Sequence, residues 1–119
     1  MFNYVTDKFP SFELNSCLIN FYPDHKSCMP DHSDDEQAID DNSFIVTVSL
    51  GSDRTMNFKR KHSKALIASV TLSDGMVLIF SKRSQDVFTH GIPPIVDTRM
   101  SGNCIPRVSA TFRKLCITE

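Results

Sequence analysis

Tryptophan is absent, glycine occurs only four times, and the longest wholly apolar run is Met76–Phe80. A helix that spans a bilayer needs about 20 such residues, and the N-terminus shows no basic-then-apolar signal pattern. The chain is therefore expected neither to enter nor to cross a membrane. An excess of charge of one sign is also lacking, since 13 Lys and Arg stand against 14 Asp and Glu for a formal net charge of -1. This excludes a protein that holds nucleic acid by bulk positive charge, so any such contact must be local. Cys17, Cys28, Cys104 and Cys116 form no C-x-x-C pair and are too scattered for a small disulfide scaffold. They point to free thiols in a reducing, cytoplasmic compartment. What is present is 119 residues, 40% of them hydrophobic, which suit one domain over residues 1–119. A chain of this size buries about two-thirds of its unfolded surface and can hold a site without a structural staple.

Short runs rich in β-branched and aromatic residues recur along the chain, broken by turn formers. This pattern predicts strands at Cys17–Tyr22, Phe44–Leu50, Met56–Arg60, Leu66–Leu72, Met76–Phe80, Val87–His90 and Arg107–Phe112. Turns are expected at 50–53 and 73–75, and a long surface loop from Pro93-Pro94 to Gly102. Seven short strands suit an all-β sandwich or jelly roll with little helix, any helix lying in the first fifteen residues. Charge is unevenly placed: residues 31–41 hold six acids, and residues 54–64 hold Arg54, Lys59, Arg60, Lys61 and Lys64. Either block can be a solvated loop.

His32-Ser33-Asp34 sets an imidazole and a carboxylate on one face of an extended segment, and His90 ends an apolar strand 58 residues later. Two His and one carboxylate suit Fe(II), because they leave positions open for a chelating co-substrate and oxygen. Cys28 as a fourth ligand would instead make a closed zinc site. His25 and His62 read as surface residues. In the last strand Arg107, Ser109, Thr111 and Arg113 share one face. Turned inward, they need an anion, and a small dicarboxylic acid would satisfy them by two-toothed pairing with Arg. Turned outward, they make a solvent-facing edge. Asn20 and Tyr22 share a face of the first strand and offer an amide and a phenol to the same anion, or form a polar outer surface.

In order and spacing, "NSCLINFYPD", "DHSDDE", "IVTVSLGSDRTMNFK", "LSDGMVLIFS", "FTHGIP" and "RVSATFR" resemble the AlkB family of Fe(II)- and 2-oxoglutarate-dependent dioxygenases, from about Asn15 to Arg113. The resemblance implies a double-stranded β-helix with Fe(II) held by His32, Asp34 and His90. It implies that Arg107 pairs with the distal carboxylate of 2-oxoglutarate, helped by Asn20, Tyr22 and Ser109, with Arg113 nearer the chelating end. The family often has Asn where Ser109 stands. Glu36 takes the place of the acid that meets the substrate base, and Arg54, Lys59, Arg60 and Lys61 become phosphate contacts. The implied reaction is oxidative demethylation of N-methylated bases in RNA or DNA, with release of succinate, carbon dioxide and formaldehyde. A single strand is the expected substrate, since it spares the cost of flipping a base from a duplex.

Cellular members carry a sizeable N-terminal lid, and here about fourteen residues stand in its place. Phe2, Tyr4, Phe9 and Phe12 either supply a remnant of that lid or cover the sheet. The texture looks most like AlkB-like domains in replication polyproteins of positive-strand RNA plant viruses, which implies a monomeric core, methylated RNA and the host cytoplasm. Two other functions remain open on these residues. One is a silent nucleic-acid binding module, the other an oxygenase of a protein or small molecule.

Overall fold

The computed structural model describes residues 2–95 and 105–116, which form eight strands in two four-stranded antiparallel sheets. The major sheet has the order β1 (Ser16–Tyr22), β8 (Arg107–Arg113), β3 (Phe44–Gly51), β6 (Val77–Ser81). The minor sheet has the order β2 (Met29–His32), β7 (Phe88–Ile92), β4 (Arg54–Arg60), β5 (Leu66–Leu72). Apart from the β4–β5 hairpin, each strand is followed by one in the other sheet, which is the winding of a jelly-roll double-stranded β-helix. All seven predicted strands are present within two residues at each end.

β2 was not foreseen. Its sequence Met-Pro-Asp-His has neither apolar alternation nor length, and Pro30 is tolerated only because the strand lies at a sheet edge. A short 3-10 turn at Lys82–Asp86 also escaped the sequence pattern; Ser81 caps it by accepting a hydrogen bond from the Ser84 N–H at 3.2 Å. The residues from 96 to 102 of the expected Pro-rich loop lie outside the described residues, as does Cys104.

Side-chain alternation explains the layering. In β8 the residues Val108, Ala110 and Phe112 point away from the second sheet, while Arg107, Ser109, Thr111 and Arg113 face it. β8 is central, between β1 and β3, so the reading of this polar face as a solvent-facing edge is overturned. The apolar outer face is covered by α1 (Phe2–Lys8) and the following 3-10 turn at Pro10–Phe12. Val5 and Leu14 pack there on Val46, Val48, Ala110 and Phe112, with Phe9 and Phe12 against them. Each such buried apolar side chain contributes about 1.5–3 kcal/mol relative to exposure. Of the N-terminal aromatics, Phe9 and Phe12 cover the sheet from outside and Tyr4 is 64% exposed. Between the sheets, Tyr22, Met56, Leu72 and Ile92 form a second core that closes one end of the barrel.

Candidate metal centre and co-substrate pocket

β2 and β7 pair so that His32 stands directly opposite His90. Cross-strand neighbours have Cβ atoms about 5 Å apart, and the two rings here have centroids 4.4 Å apart. Asp34 follows β2 and turns its carboxylate between them, with Oδ1 3.8 Å from His32 Nε2 and Oδ2 3.6 Å from His90 Nε2. One ligand atom from each of the three lies within 4.8 Å of the others, close enough to share an ion. His32 Nδ1 lies 2.9 Å from the Pro30 carbonyl, which accepts its N–H and leaves Nε2 free to bind a metal.

The electrostatics suit a cation. Burial pushes the Asp34 carboxyl up from its ordinary value, opposed by His32 and Arg113, so the site gives up carboxylate solvation that a metal would restore. His90 is pushed down to about 4 by burial, so its ring is neutral at pH 7 and able to ligate. Cys28 is not in this cluster; it lines a shallow recess with Asp31 and Lys59, and the zinc reading falls with it. His62 is exposed, and His25 is half-buried outside the cluster.

The strand spacing depends on Gly91. A Cβ there would collide with Asp31 Oδ1 and stand 3.0 Å from both Asp31 N and Met29 O. Gly91→Ala is expected to force β2 off β7, costing about 1–3 kcal/mol of stability and weakening Mn(II) binding. Thermal unfolding and electron paramagnetic resonance titration would check this; unchanged Mn(II) affinity would mean that strand spacing does not set the ligands.

The triad opens into a cavity of about 240 Å³ between the sheets. Arg107 lies in its wall, 1% exposed, with its guanidinium 4.9 Å over the Tyr22 ring and Nη2 donating to Ser49 Oγ at 2.9 Å. Burial pushes its pKa down, and its Nε and Nη1 are buried with no partner among the described residues. A buried cation with two idle donors is costly unless an anion arrives. Register places Tyr22 opposite Arg107 and Asn20 opposite the buried Ser109, and all four line the cavity, so the predicted anion set is brought together. Arg113 is six residues along β8 from Arg107, about 20 Å of strand, and donates to Glu36 Oε2 at 3.4 Å. It lines the same cavity, and its charge acts on the Asp34 carboxyl.

The basic block divides. Arg54 is 3% exposed and donates to the carbonyls of Ser27 at 2.6 Å and Pro93 at 2.8 Å, with its guanidinium 5.6 Å over Tyr22. It braces the barrel and is not a phosphate contact, because its alternation in β4 turns it inward beside Met56. Lys59 pairs with Asp31 at 2.7 Å and Lys61 with Asp35 at 3.4 Å, while Arg60 is exposed with no side-chain partner among the described residues. Two supporting residues were missed in the sequence. Ser49 was legible as a polar inward position in apolar β3, whereas Gln85 carried no signal.

The comparisons decide the family. Residues 3–113 match the family model described as the 2OG-Fe(II) oxygenase superfamily. The chain belongs to that superfamily. It is 31% identical over 111 residues to alpha-ketoglutarate-dependent dioxygenase alkB homolog 3 of Mus musculus, covering 87% of this chain and 37% of that protein. It is 30% identical over 113 residues to DNA oxidative demethylase ALKBH2 of Homo sapiens, covering 89% of this chain and 41% of that one. The chain thus spans well under half the length of these curated relatives. The solved structure of OsALKBH1 matches with a TM-score of 0.63 at 23% identity, over 82% of this chain and 48% of that one, which supports the fold. The superfamily is named for 2-oxoglutarate and Fe(II), and the His–Asp–His cluster and the buried guanidinium of Arg107 fit that pair.

Proposed function

We propose that this oxygenase core removes N-methyl groups from bases such as 1-methyladenine and 3-methylcytosine in single-stranded RNA or DNA, as a monomeric unit of the cytoplasm. The observation that carries the reading is a His–Asp–His cluster in one cavity with a buried guanidinium whose Nε and Nη1 have no partner among the described residues. The relatives' names, an alkB homolog and a DNA oxidative demethylase, support the choice of substrate class.

His32, Asp34 and His90 would hold Fe(II), and Arg107, Asn20, Tyr22 and Ser109 the 2-oxoglutarate. With oxygen, that pair would supply the oxidation of a methyl group, giving succinate, carbon dioxide and formaldehyde. The chain's own residues do the rest. Arg107 fixes the acid by a two-toothed grip, and Tyr22 packs beneath it to exclude water. Arg113 and Glu36 pair at 3.4 Å in the cavity lining, which supports Glu36 as the residue that meets a substrate base. Arg60, with Lys59 and Lys61, is placed to take phosphates; their exposed pairings with Asp31 and Asp35 are worth at most about 1 kcal/mol each and yield to a stronger anion. Few contacts on a chain of net charge -1 predict weak, salt-sensitive binding. Among the described residues no helix is long and apolar enough to cross a membrane.

The test is mass spectrometry of short RNA and DNA strands bearing either methylated base, incubated with protein, Fe(II), 2-oxoglutarate, ascorbate and air, beside His32→Ala. Methyl loss that needs Fe(II), 2-oxoglutarate and His32 is expected. Succinate without methyl loss would redirect the proposal to another substrate, and no succinate would favour a silent binding module.

A further inference from the structure

Gln85 is 2% exposed, yet it lies in the 3-10 turn at Lys82–Asp86, next to the exposed Asp86. Burying a primary amide is unfavourable unless its polar atoms find partners. Its Nε2 donates to Ser84 Oγ at 3.1 Å, and its Oε1 accepts the backbone N–H of Asp34 at 3.0 Å. The second of these reaches across 51 positions of the chain to the one carboxylate of the metal cluster.

Asp34 needs such support. β2 ends at His32, so residues 33 and 34 have no strand ladder to hold them. Two bonds replace it: Ser33 Oγ donates to the Phe88 carbonyl at 2.7 Å, and the Asp34 N–H goes to Gln85. One anchor, Gln85, lies just before β7, and the other, Phe88, is its first residue, two positions from His90. The Gln85 carbonyl also accepts Lys61 Nζ at 3.4 Å, which braces the same turn from the basic block.

We infer that Gln85 is a positioning residue of the metal centre: by holding the Asp34 N–H it fixes the backbone from which the Asp34 carboxylate reaches between His32 and His90. This rests on the metal site proposed above. Gln85 acts through backbone geometry and touches neither metal nor substrate. Supporting partners of metal ligands typically alter affinity by about 10–100-fold.

The test uses Co(II) as a redox-silent probe, titrated by its visible absorption without oxygen, 2-oxoglutarate or nucleic acid. Thermal unfolding of the metal-free protein runs in parallel. Gln85→Met, similar in shape but without the acceptor, is expected to bind Co(II) about 10–100-fold more weakly. Gln85→Glu keeps an acceptor at the same reach and is expected to restore affinity to near wild type. Val46→Ala, buried in the outer core, should lower the melting temperature and leave Co(II) binding unchanged. Should Gln85→Met fail to fold, Gln85→Asn, one methylene too short to reach Asp34, carries the same expectation. Wild-type affinity in a folded Met or Asn variant overturns the inference alone. Weak binding by Gln85→Glu and Val46→Ala alike reduces Gln85 to a stability role and overturns it too. Absence of Co(II) binding by the wild type overturns both this inference and the metal site on which it rests.

Discussion

Asp34→Ala is expected to abolish Fe(II)-dependent conversion of 2-oxoglutarate to succinate, a loss well beyond the roughly hundredfold cost of removing a supporting partner. Asp34 is the sole anionic ligand of the cluster, within 3.8 Å of both imidazole Nε2 atoms. The same substitution should leave the metal-free fold intact or firmer. Burial raises the folded pKa of Asp34, so its charged form is disfavoured in the fold. In the metal-free protein that penalty is absent below the unfolded value of about 3.9 and grows as pH rises through the window up to the folded value. At pH 7 the alanine variant escapes it. Succinate assays and thermal unfolding of metal-free protein would read the two effects. Retained turnover would refute the ligand assignment, and a lowered melting temperature would show that Asp34 serves the fold.

Arg107→Lys is expected to raise the KM for 2-oxoglutarate about 10–100-fold while leaving Co(II) affinity unchanged. A hydrogen bond to a charged group is worth about 1.5–3 kcal/mol, and each 1.4 kcal/mol is tenfold in affinity. Lysine keeps the charge but loses the planar fork, and its ammonium cannot both reach the acid and lie flat over Tyr22. Removal of the group altogether, in Arg107→Met, should further raise KM without unfolding the protein, because the wild-type cation is buried with two donors that have no partner among the described residues. Steady-state kinetics against 2-oxoglutarate would decide. An unchanged KM would mean that another group, with Arg113 the nearest candidate on the same face of β8, binds the acid.

The sequence carried most of the architecture and the chemistry of the site. Runs of β-branched and aromatic residues between turn formers located seven strands, and in Arg107–Arg113 the alternation was already split into polar and apolar sets. The H-x-D spacing was legible because an extended segment puts such residues on one side. Motif order joined them to His90 through family resemblance, a signal that lies in the whole chain and not in any one strand. Where reading failed, the local signal was missing or pointed two ways. β2 has no apolar pattern, and Gln85 looks like any turn residue. Arg54 shares its charge with Arg60 but not its side of the solvent boundary, a difference that pattern alone could not assign.

By itself, then, the sequence determined seven of the strand positions and which side chains of β8 share a face, since those depend on side-chain chemistry and on the two-residue repeat of a strand. Tertiary structure alone decided which sheet each face would meet. It set His32 across from His90 through the β2–β7 register, turned Arg54 into a buried brace and sent the N-terminal aromatics to the outer face. It also bound the Asp34 backbone to Gln85. Each of these is a pairing between distant segments, and such pairings follow from the burial available to the whole chain, which no local window contains.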